Sequence, residues 1–181
     1  MKFMKISNYE IGQTVIESLR DKLTIYSNPL LENNLSSSPF DGLGVSAKRL
    51  CLIKNSVFEN FFASKQYGDY LGVKATGPLG VVEVEGGKRK IEEIFDDSDD
   101  MMEIVSFAWF NPDSASGNFS AEIRLGYRIK GGKKIPFKGG LFSGNVFDVL
   151  REVDFSKEKM NVPGYFGPKV LKFYKGQIIG M

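Results

Sequence analysis

The segment from Phe119 to Ile129 alternates strictly between apolar and polar residues, and this pattern constrains the fold more than any other feature of the sequence. Successive side chains of a β-strand point to opposite faces, so such alternation is typical of a strand with one buried and one solvated face. The apolar members are Phe119, Ala121, Ile123, Leu125, Tyr127 and Ile129. The residues between them are Ser120, Glu122, Arg124, Gly126 and Arg128. We therefore predict a long, half-buried strand in the last third of the chain.

The composition favours β-structure throughout the chain. Of 181 residues, 42% are hydrophobic and 13% aromatic, and 20 are glycines that suit frequent tight turns. Short apolar segments are separated by turn signals at intervals that are typical of an antiparallel sandwich or barrel. We predict a mainly β (α+β) fold of this kind with one or two short helices. The length suggests a single domain, residues 1–181, in which residues 1–27 are a potential extension.

Local patterns give further expectations for individual elements. Apolar residues at helical spacing predict a helix from Glu10 to Asp21, and a second helix is expected near Val146–Val153. The small residues Ser143–Asn145 predict a turn, and Asn161–Pro168 predicts a loop. The main expected strands are Thr24–Tyr26, Val45–Ile53, Val57–Phe62, Val81–Val84, Ile104–Phe110, Lys134–Phe137, Leu141–Phe142 and Val170–Tyr174.

Charge, cysteine content and hydropathy exclude several classes of protein. The single cysteine, Cys51, cannot form an internal disulfide and lies in an apolar run, so we expect a small buried hydrophobic residue there. No run approaches the roughly 20 apolar residues of a membrane span, and the start of the chain lacks a signal-peptide core. We expect a cytoplasmic protein without a membrane partner. A formal net charge of +2 gives no general attraction to nucleic acid.

Several short motifs occur in an order that is known from one protein family. They are F-D-x-x-G at Phe40–Gly44, T-G at Thr76–Gly77, N-P followed by G-N-F-S at Asn111–Ser120, G-Y-x-I-x-x-G-K-x-x-P at Gly126–Pro136, and S-G-N at Ser143–Asn145. Each motif alone is weak, but the ordered set is specific. It resembles the C-terminal domain of the TldD/PmbA family, also called modulators of DNA gyrase, which includes zinc metallopeptidases. The resemblance runs from about Leu23 to Met181, and it implies, as an expectation, that the α/β domain that precedes this region in full-length relatives is missing here.

The resemblance also identifies candidate binding residues in the loops that carry these motifs. They are Phe40, Asp41, Gly44, Thr76, Gly77, Asn111, Gly117, Phe119, Ser120, Gly144 and Asn145. Turn geometry explains the glycine and asparagine positions without any ligand, and taken one loop at a time we favour that interpretation.

The chain does not contain the metal ligands that the resemblance implies for a catalytic member. Such members hold zinc through H-E-x-x-x-H, whose glutamate acts as general base, and through a late cysteine. This sequence has no histidine, and the segment Asn161–Pro168 has no cysteine. The acidic cluster from Asp96 to Glu103 lacks the spacing of a calcium loop and is interpreted as a solvated turn. We expect no catalytic residue, no metal and no cofactor, which is similar to the PmbA-like branch of the family.

Three functions remain open from the sequence. The first is a non-catalytic role in proteolysis: the chain binds a peptide or unstructured protein segment, and it works as a homodimer or as the partner of a zinc-bearing family member. The second is a stand-alone β-rich protein-interaction module without a peptidase role. The third is nucleic-acid binding through the basic turns at Lys88–Lys90 and Lys130–Lys138, which we disfavour because solvated lysines are ordinary in turns and at sheet edges.

Overall fold

The computed structural model describes residues 9–96 and 100–180, and these residues form mainly β-structure. The strands are β1 (Ile25–Asn28), β2 (Leu50–Lys54), β3 (Val57–Phe58), β4 (Val81–Val84), β5 (Asp100–Pro112), β6 (Asn118–Lys130), β7 (Lys133–Phe137), β8 (Leu141–Asn145), β9 (Val153–Phe155), β10 (Lys159–Val162), β11 (Tyr165–Pro168), β12 (Leu171–Phe173) and β13 (Gln177–Ile179). The helices are α1 (Lys65–Leu71), α2 (Ile91–Asp96) and α3 (Val146–Arg151).

One sheet has six strands in the order β10-β11-β4-β1-β2-β3. Its pairs are antiparallel except for β11 and β4, which run parallel. The edge at β3 is covered, because the segment around Thr14 forms a bridge to Val57 and Gly12 donates to the Phe58 carbonyl. At the opposite edge, the amide of Asn34 donates to Asn161 and to the Val162 carbonyl of β10. Both edges of this sheet are therefore at least partly protected.

A second sheet has five strands and is built around the long strand β6. Its order is β13-β8-β6-β5, and β7 also pairs with β6 beyond the end of β8. Strand β5 pairs with β6 from Asp100 to Pro112, with register shifts between Ile104 and Trp109 that mark β-bulges. The alternation in β6 places Ala121 and Ile123 in the core, as the sequence predicts. Beyond them Leu125 is exposed, since the outer half of this hairpin extends past the core.

The main hydrophobic core lies against the six-stranded sheet. Its buried members are Ile16, Leu23, Val84, Val153 and Phe155. The partly buried residues that pack on them are Val15, Ile25, Ile53, Phe147, Leu150, Tyr165 and Phe173. This set joins β1, β2, β4 and β11 to β9 and α3, so burial of these side chains, worth about 1.5–3 kcal/mol each when complete, holds the layers together.

The predicted helix from Glu10 to Asp21 is wrong. Residues 10–21 are turns and extended chain that run beside β3, and Gly12 takes a positive φ of 87° that an α-helix does not allow. Of the apolar residues whose spacing suggested this helix, Ile16 and Leu23 are buried, whereas Ile11 and Leu19 are exposed. The helical spacing does not determine the structure here, because backbone amides of this segment donate to distant carbonyls, those of Gly12 and Val15 to Phe58 and Ser56 and those of Leu19 and Asp21 to Arg151 and Val153.

Several other boundaries also differ from the expectations. The turn predicted at Ser143–Asn145 is part of β8, and the loop predicted at Asn161–Pro168 is the hairpin of β10 and β11. Val153 belongs to β9 and not to the helix before it, because the helix ends at Arg151. The second and third predicted strands are shorter than expected, at Leu50–Lys54 and Val57–Phe58.

The mainly β fold class is confirmed, with two refinements. The described residues form three sheets, the third being the pair β9 and β12, and they do not close into a barrel. Three short helices are present where one or two were expected. Within the described residues, no helix has the length and apolar character that crossing a membrane requires.

Candidate functional site

The eleven candidate binding residues fall into two groups that lie on different parts of the fold. The first group combines the loop of Phe40, Asp41 and Gly44 with the loop of Thr76 and Gly77. The second group lies on three adjacent strands of the five-stranded sheet and in the turn before β6, and it contains Asn111, Gly117, Phe119, Ser120, Gly144 and Asn145.

In the first group, Asp41 organises its own loop. One carboxylate oxygen, Oδ1, accepts hydrogen bonds from the backbone amides of Leu43 and Val45, both at 2.9 Å. This is an Asx-turn, in which the side chain replaces a backbone partner. Phe40 forms a β-bridge with Ser46 and its side chain remains exposed. The geometry therefore assigns Asp41 a turn-forming role and leaves the Phe40 ring available to a partner.

The second loop of this group is held against the first. Thr76 is buried, and its hydroxyl bonds to both the amide and the carbonyl of Ala63 at 3.1 Å. Gly77 has a φ of 80°, and a Cβ built on it would lie 2.5 Å from the Ser46 carbonyl oxygen. Only glycine allows this close approach of two backbone segments. The motif residues Thr76 and Gly77 thus fix the contact between the two loops.

In the second group, motif residues line up across the strands. Asn111 on β5 pairs with Ser120 on β6, which pairs in turn with Ser143 on β8. In the adjacent row, Pro112 pairs with Phe119, and Phe119 pairs with Gly144. The sequence motifs that contain these residues are separated along the chain, and sheet pairing brings them together.

Asn145 connects this row to helix α3. Its Oδ1 accepts from the Phe147 amide at 3.0 Å and caps the helix, while its Nδ2 donates to the Ser116 carbonyl and to Asn118 Oδ1, each at 3.0 Å. Gly117 lies against the same helix, since a Cβ there would come within 2.7 Å of the Phe147 ring. The three polar contacts of Asn145 join the turn before β6 to the start of α3.

A shallow depression lies beside this junction. It is lined by Ser143, Gly144, Asn145, Asp148, Val149, Lys175, Gly176 and Gln177. Lys175 in its wall pairs with Glu152 at 3.0 Å.

The outer edge of β5 is a feature that the sequence reasoning did not identify. Strand β5 pairs with β6 alone, so within the described residues the backbone groups along its other side have no sheet partner. Several large apolar side chains are exposed here: Val105 and Phe110 are each 53% exposed, and Trp109 is 46% exposed. A long unpaired edge with apolar side chains is a surface on which another extended chain can add. Ile104–Phe110 is apolar except for Ser106, and a run of this kind is also compatible with a buried strand, so the sequence pattern does not identify the exposed edge.

Five phenylalanines form an aromatic cluster behind this edge. The cluster consists of Phe107, Phe110, Phe119, Phe142 and Phe173. Neighbouring ring centroids lie between 5.2 and 6.3 Å apart, which is the range in which aromatic pairs attract. Phe110 is the member at the rim, and Trp109 beside it donates from Nε1 to Glu122 at 2.7 Å.

The basic turn between β6 and β7 is paired with carboxylates of β5. Lys134 lies 2.6 Å from Glu103 Oε2, and Lys130 lies 3.5 Å from Asp100. Arg128 donates two hydrogen bonds to Asp100, and chiefly this contact lowers the pKa of the Asp100 carboxyl to about 2. In the other basic turn, Arg89 binds the carboxylate of Asp154. Arg128, Lys130, Lys134 and Arg89 are thus engaged in ion pairs within the fold.

The residues present do not fit the zinc that the resemblance implies for catalytic members. Zinc sites in proteins use histidine, cysteine and carboxylate ligands, and this chain has no histidine. Within residues 9–96 and 100–180, no three metal-binding side chains form a cluster. Cys51 lies in β2, partly buried, where its Sγ contacts the Ile53 carbonyl oxygen at 3.5 Å and burial raises the pKa of the thiol.

Comparison with known proteins agrees with the motif order. A family model described as the PmbA/TldA metallopeptidase C-terminal domain matches residues 5–174. An uncharacterized protein of Methanocaldococcus jannaschii is 28% identical over 170 residues, which cover 88% of this chain and 40% of the relative. The metalloprotease PmbA of Escherichia coli O157:H7 is 24% identical over 139 residues, which cover 75% of this chain and 31% of that protein. The chain thus spans less than half the length of these curated relatives.

Solved structures show the same fold. TldE from Thermococcus kodakarensis superposes with a TM-score of 0.81 at 20% identity, covering 98% of this chain and 43% of TldE. A Thermotoga maritima protein described as a candidate modulator of a DNA gyrase superposes with a TM-score of 0.79 at 23% identity, covering 93% of this chain and 42% of its own. Since the family model covers nearly the whole sequence, the chain belongs to the PmbA/TldD metallopeptidase family, in which it corresponds to the C-terminal domain.

Proposed function

We propose that this chain is a non-catalytic member of its family that binds extended peptide segments and acts as the partner of a zinc-bearing peptidase subunit. The observation that carries the proposal is the outer edge of β5, which extends from Asp100 to Pro112 without a sheet partner in the described residues. Peptides bind such edges by strand addition, in which backbone hydrogen bonds give affinity and side-chain contacts give selectivity.

The position of the motif residues supports a role for this edge. Asn111 lies on β5 itself, and Phe119 and Ser120 lie on β6 directly behind it. A strand added beside Asn111 would therefore continue the row that includes Ser120 and Ser143. The candidate residues of this group would act by supporting the strand to which the peptide adds. They would not form separate loops that each contact the peptide.

The need for a partner follows from the missing histidines. Hydrolysis by a zinc-bound water requires protein ligands for the metal; this chain has no histidine, and its described residues contain no cluster of metal-binding side chains. One relative, PmbA of Escherichia coli O157:H7, is named a metalloprotease, and it is longer than the region matched here. We propose that cleavage, where it occurs, takes place on a second subunit to which this domain contributes peptide binding.

Two experiments test these parts separately. Labelled unstructured peptides titrated into the purified protein should bind with saturable affinity, and Ala108→Pro on the exposed part of β5 should weaken that binding because proline breaks strand pairing. The matched control is Leu79→Pro, at an exposed loop residue between α1 and β4. If wild type fails to bind any extended peptide, the peptide-binding proposal is wrong.

The partner is tested by affinity capture from the native host with the tagged chain. Recovery of a histidine-containing family member, and cleavage of a bound peptide only when that protein is added with zinc, would support the peptidase role. Recovery of an unrelated protein alone would instead favour the stand-alone interaction module. Failure of the reconstituted pair to cleave any peptide that the chain binds would contradict the proposed role in proteolysis.

A further inference from the structure

Charge is distributed very unevenly along this chain. Residues 91–123 contain nine of the 22 carboxylates and none of the 24 lysines and arginines. The rest of the chain, with 13 carboxylates, therefore carries a formal charge of +11. Although the net charge of the whole chain is close to zero, residues 91–123 are strongly acidic, and they contain the whole of β5.

The sheet order places β5, the central part of this segment, outermost. A chain that adds to the outer edge of β5 would have β5 as its direct neighbour. The basic residues of β6 and β7 would be at least one strand further away. Three of these basic residues, Arg128, Lys130 and Lys134, already pair with Asp100 and Glu103 near the start of β5.

The far end of β5 has carboxylates without such cations. Asp113 uses its carboxylate to hold the next turn through Ala115 and Ser116, and Glu122 accepts from Trp109. In the described parts of the chain, neither Asp113 nor Glu122 forms an ion pair. An added strand would therefore meet a surface with acidic groups at its far end and with no basic residue on its direct neighbour, β5.

We infer that the β5 edge accepts extended peptides that combine large apolar side chains with lysine or arginine, in preference to acidic peptides. This inference rests on the proposed peptide-binding function and narrows its substrate class. The apolar requirement follows from the side chains that flank the edge. Phe110 at the rim of the aromatic cluster, together with Trp109 and Val105, would be covered by large apolar residues of the peptide. The basic requirement follows from charge complementarity with the carboxylates.

The same charges argue against a second copy of this chain as the occupant. Pairing of two β5 edges would bring together two strands that each carry Asp100 and Glu103 and no lysine or arginine. Like charges on directly opposed strands destabilise the pair, so self-addition is disfavoured where a basic peptide is favoured.

The inference is tested with three synthetic peptides that have the same alternating valine–tyrosine core and blocked ends. One is flanked by lysines, one by glutamates, and the third is the lysine peptide with alternate backbone nitrogens methylated. Fluorescence anisotropy at about 20 mM salt should show the lysine peptide binding about tenfold more tightly than the glutamate peptide, and this ratio should shrink at about 300 mM salt as the charges are screened. The methylated peptide should bind weakly at both salt concentrations because it cannot complete the strand pairing.

A matched pair of protein variants tests whether the charge on β5 determines the preference for the lysine peptide. Ala108 is exposed on this strand, so Ala108→Lys and Ala108→Glu introduce long side chains of opposite charge at one position. Ala108→Lys should weaken binding of the lysine peptide several-fold, whereas Ala108→Glu should retain or strengthen it. Circular dichroism and thermal melting of both variants check that the fold is intact.

The outcomes separate this inference from the function on which it rests. Equal binding of the lysine and glutamate peptides, or equal effects of the two Ala108 variants, would overturn the charge preference while leaving peptide binding in place. Binding of neither peptide would overturn both. Equal binding of the methylated and unmethylated lysine peptides would show electrostatic adhesion without strand addition, and would also contradict the inference.

Discussion

The Arg20 guanidinium donates from Nη1 to both carboxylate oxygens of Asp154, at 2.9 and 2.8 Å. The carboxylate is nearly inaccessible, with Asp154 only 3% exposed, and it also accepts from Arg89 at 2.7 Å and from the Tyr174 hydroxyl at 2.8 Å. The Arg20 guanidinium further lies 3.8 Å from the centre of the Tyr174 ring. One buried carboxylate thus connects the segment before β1, through Arg20, with the turn before α2, through Arg89, and with Tyr174 directly after β12.

Replacement of Asp154 by Asn should destabilise the protein by about 2 kcal/mol or more, because a buried, multiply bonded charge is lost and Arg20 and Arg89 lose this carboxylate from among their contacts. Arg20 and Arg89 remain partly solvated, which limits the cost. Urea unfolding monitored by tryptophan fluorescence gives the free energy of unfolding.

The matched control is Asp69→Asn, which removes the exposed ion pair of Asp69 with Lys65 on α1. That substitution should change the free energy of unfolding by less than about 0.5 kcal/mol, since exposed pairs contribute little. Similar effects of the two substitutions would show that the Asp154 cluster is not a specific stabilising element.

The same cluster predicts a pH dependence of stability. Burial acts to raise the pKa of Asp154, but hydrogen bonds from Arg20 and Tyr174 and the charge of Arg20 outweigh it, so the pKa lies below its ordinary value of 3.8. A carboxyl whose pKa is lower in the folded state stabilises the protein above the unfolded-state pKa, and this contribution is lost as pH falls through the folded-state pKa. The difference in melting temperature between wild type and Asp154→Asn should therefore shrink below about pH 4. A difference that stays constant between pH 7 and pH 2 would contradict this assignment.

The sequence predicted elements well where a pattern determines both the secondary structure and its environment. The alternation around Ala121 and Ile123 predicted β6, because one face of that strand packs on the core. The helix predicted at Glu10–Asp21 was wrong because helical spacing alone does not register a competing strand partner, here Val57 on β3. Such non-local pairing cannot be read from a window of neighbouring residues.

For the candidate site, too, the sequence predicted some features and missed others. The motif order identified the family and the loops, and Gly77 is indeed required by geometry. The edge of β5 was missed because a mostly apolar run such as Ile104–Phe110 fits a buried strand equally well, and only the sheet order shows that this strand is outermost. The Asp154 cluster was missed because its members come from distant parts of the chain.

Gly77→Ala should be more damaging than Gly44→Ala. Both glycines have positive φ, 80° and 75°, so each substitution costs about 1 kcal/mol in backbone strain. At Gly77 the new Cβ would also lie 2.5 Å from the Ser46 carbonyl oxygen, whereas at Gly44 nothing lies within 4 Å. We expect Gly77→Ala to cost about 2–3 kcal/mol in total, because two backbone segments must separate. Equal shifts in the urea midpoint would show that the loop contact at Ser46 is dispensable.

The missing ligand set predicts the metal content of the purified protein. With no histidine in the chain and no cluster of metal-binding side chains in the described residues, zinc should not be retained at one equivalent after dialysis. Added zinc should also leave the melting temperature unchanged, since a ligand stabilises only a folded state that binds it. Elemental analysis and thermal melting with and without a chelator measure both properties. One tightly bound equivalent of zinc would contradict the proposed dependence on a second subunit.

Two substitutions of Asn145 should distinguish how much capping of α3 and the hydrogen bonds to the turn before β6 each contribute to the free energy of unfolding. Asn145→Ala removes the Oδ1 acceptor for the Phe147 amide and both Nδ2 donors, and should cost about 2 kcal/mol. Asn145→Asp keeps the cap but loses the donors to Ser116 and Asn118, so its cost measures those hydrogen bonds alone. If the aspartate variant is as stable as wild type, the hydrogen bonds across this junction contribute nothing, and the stability of the row from Asn111 to Ser143 must come from strand pairing and the aromatic cluster.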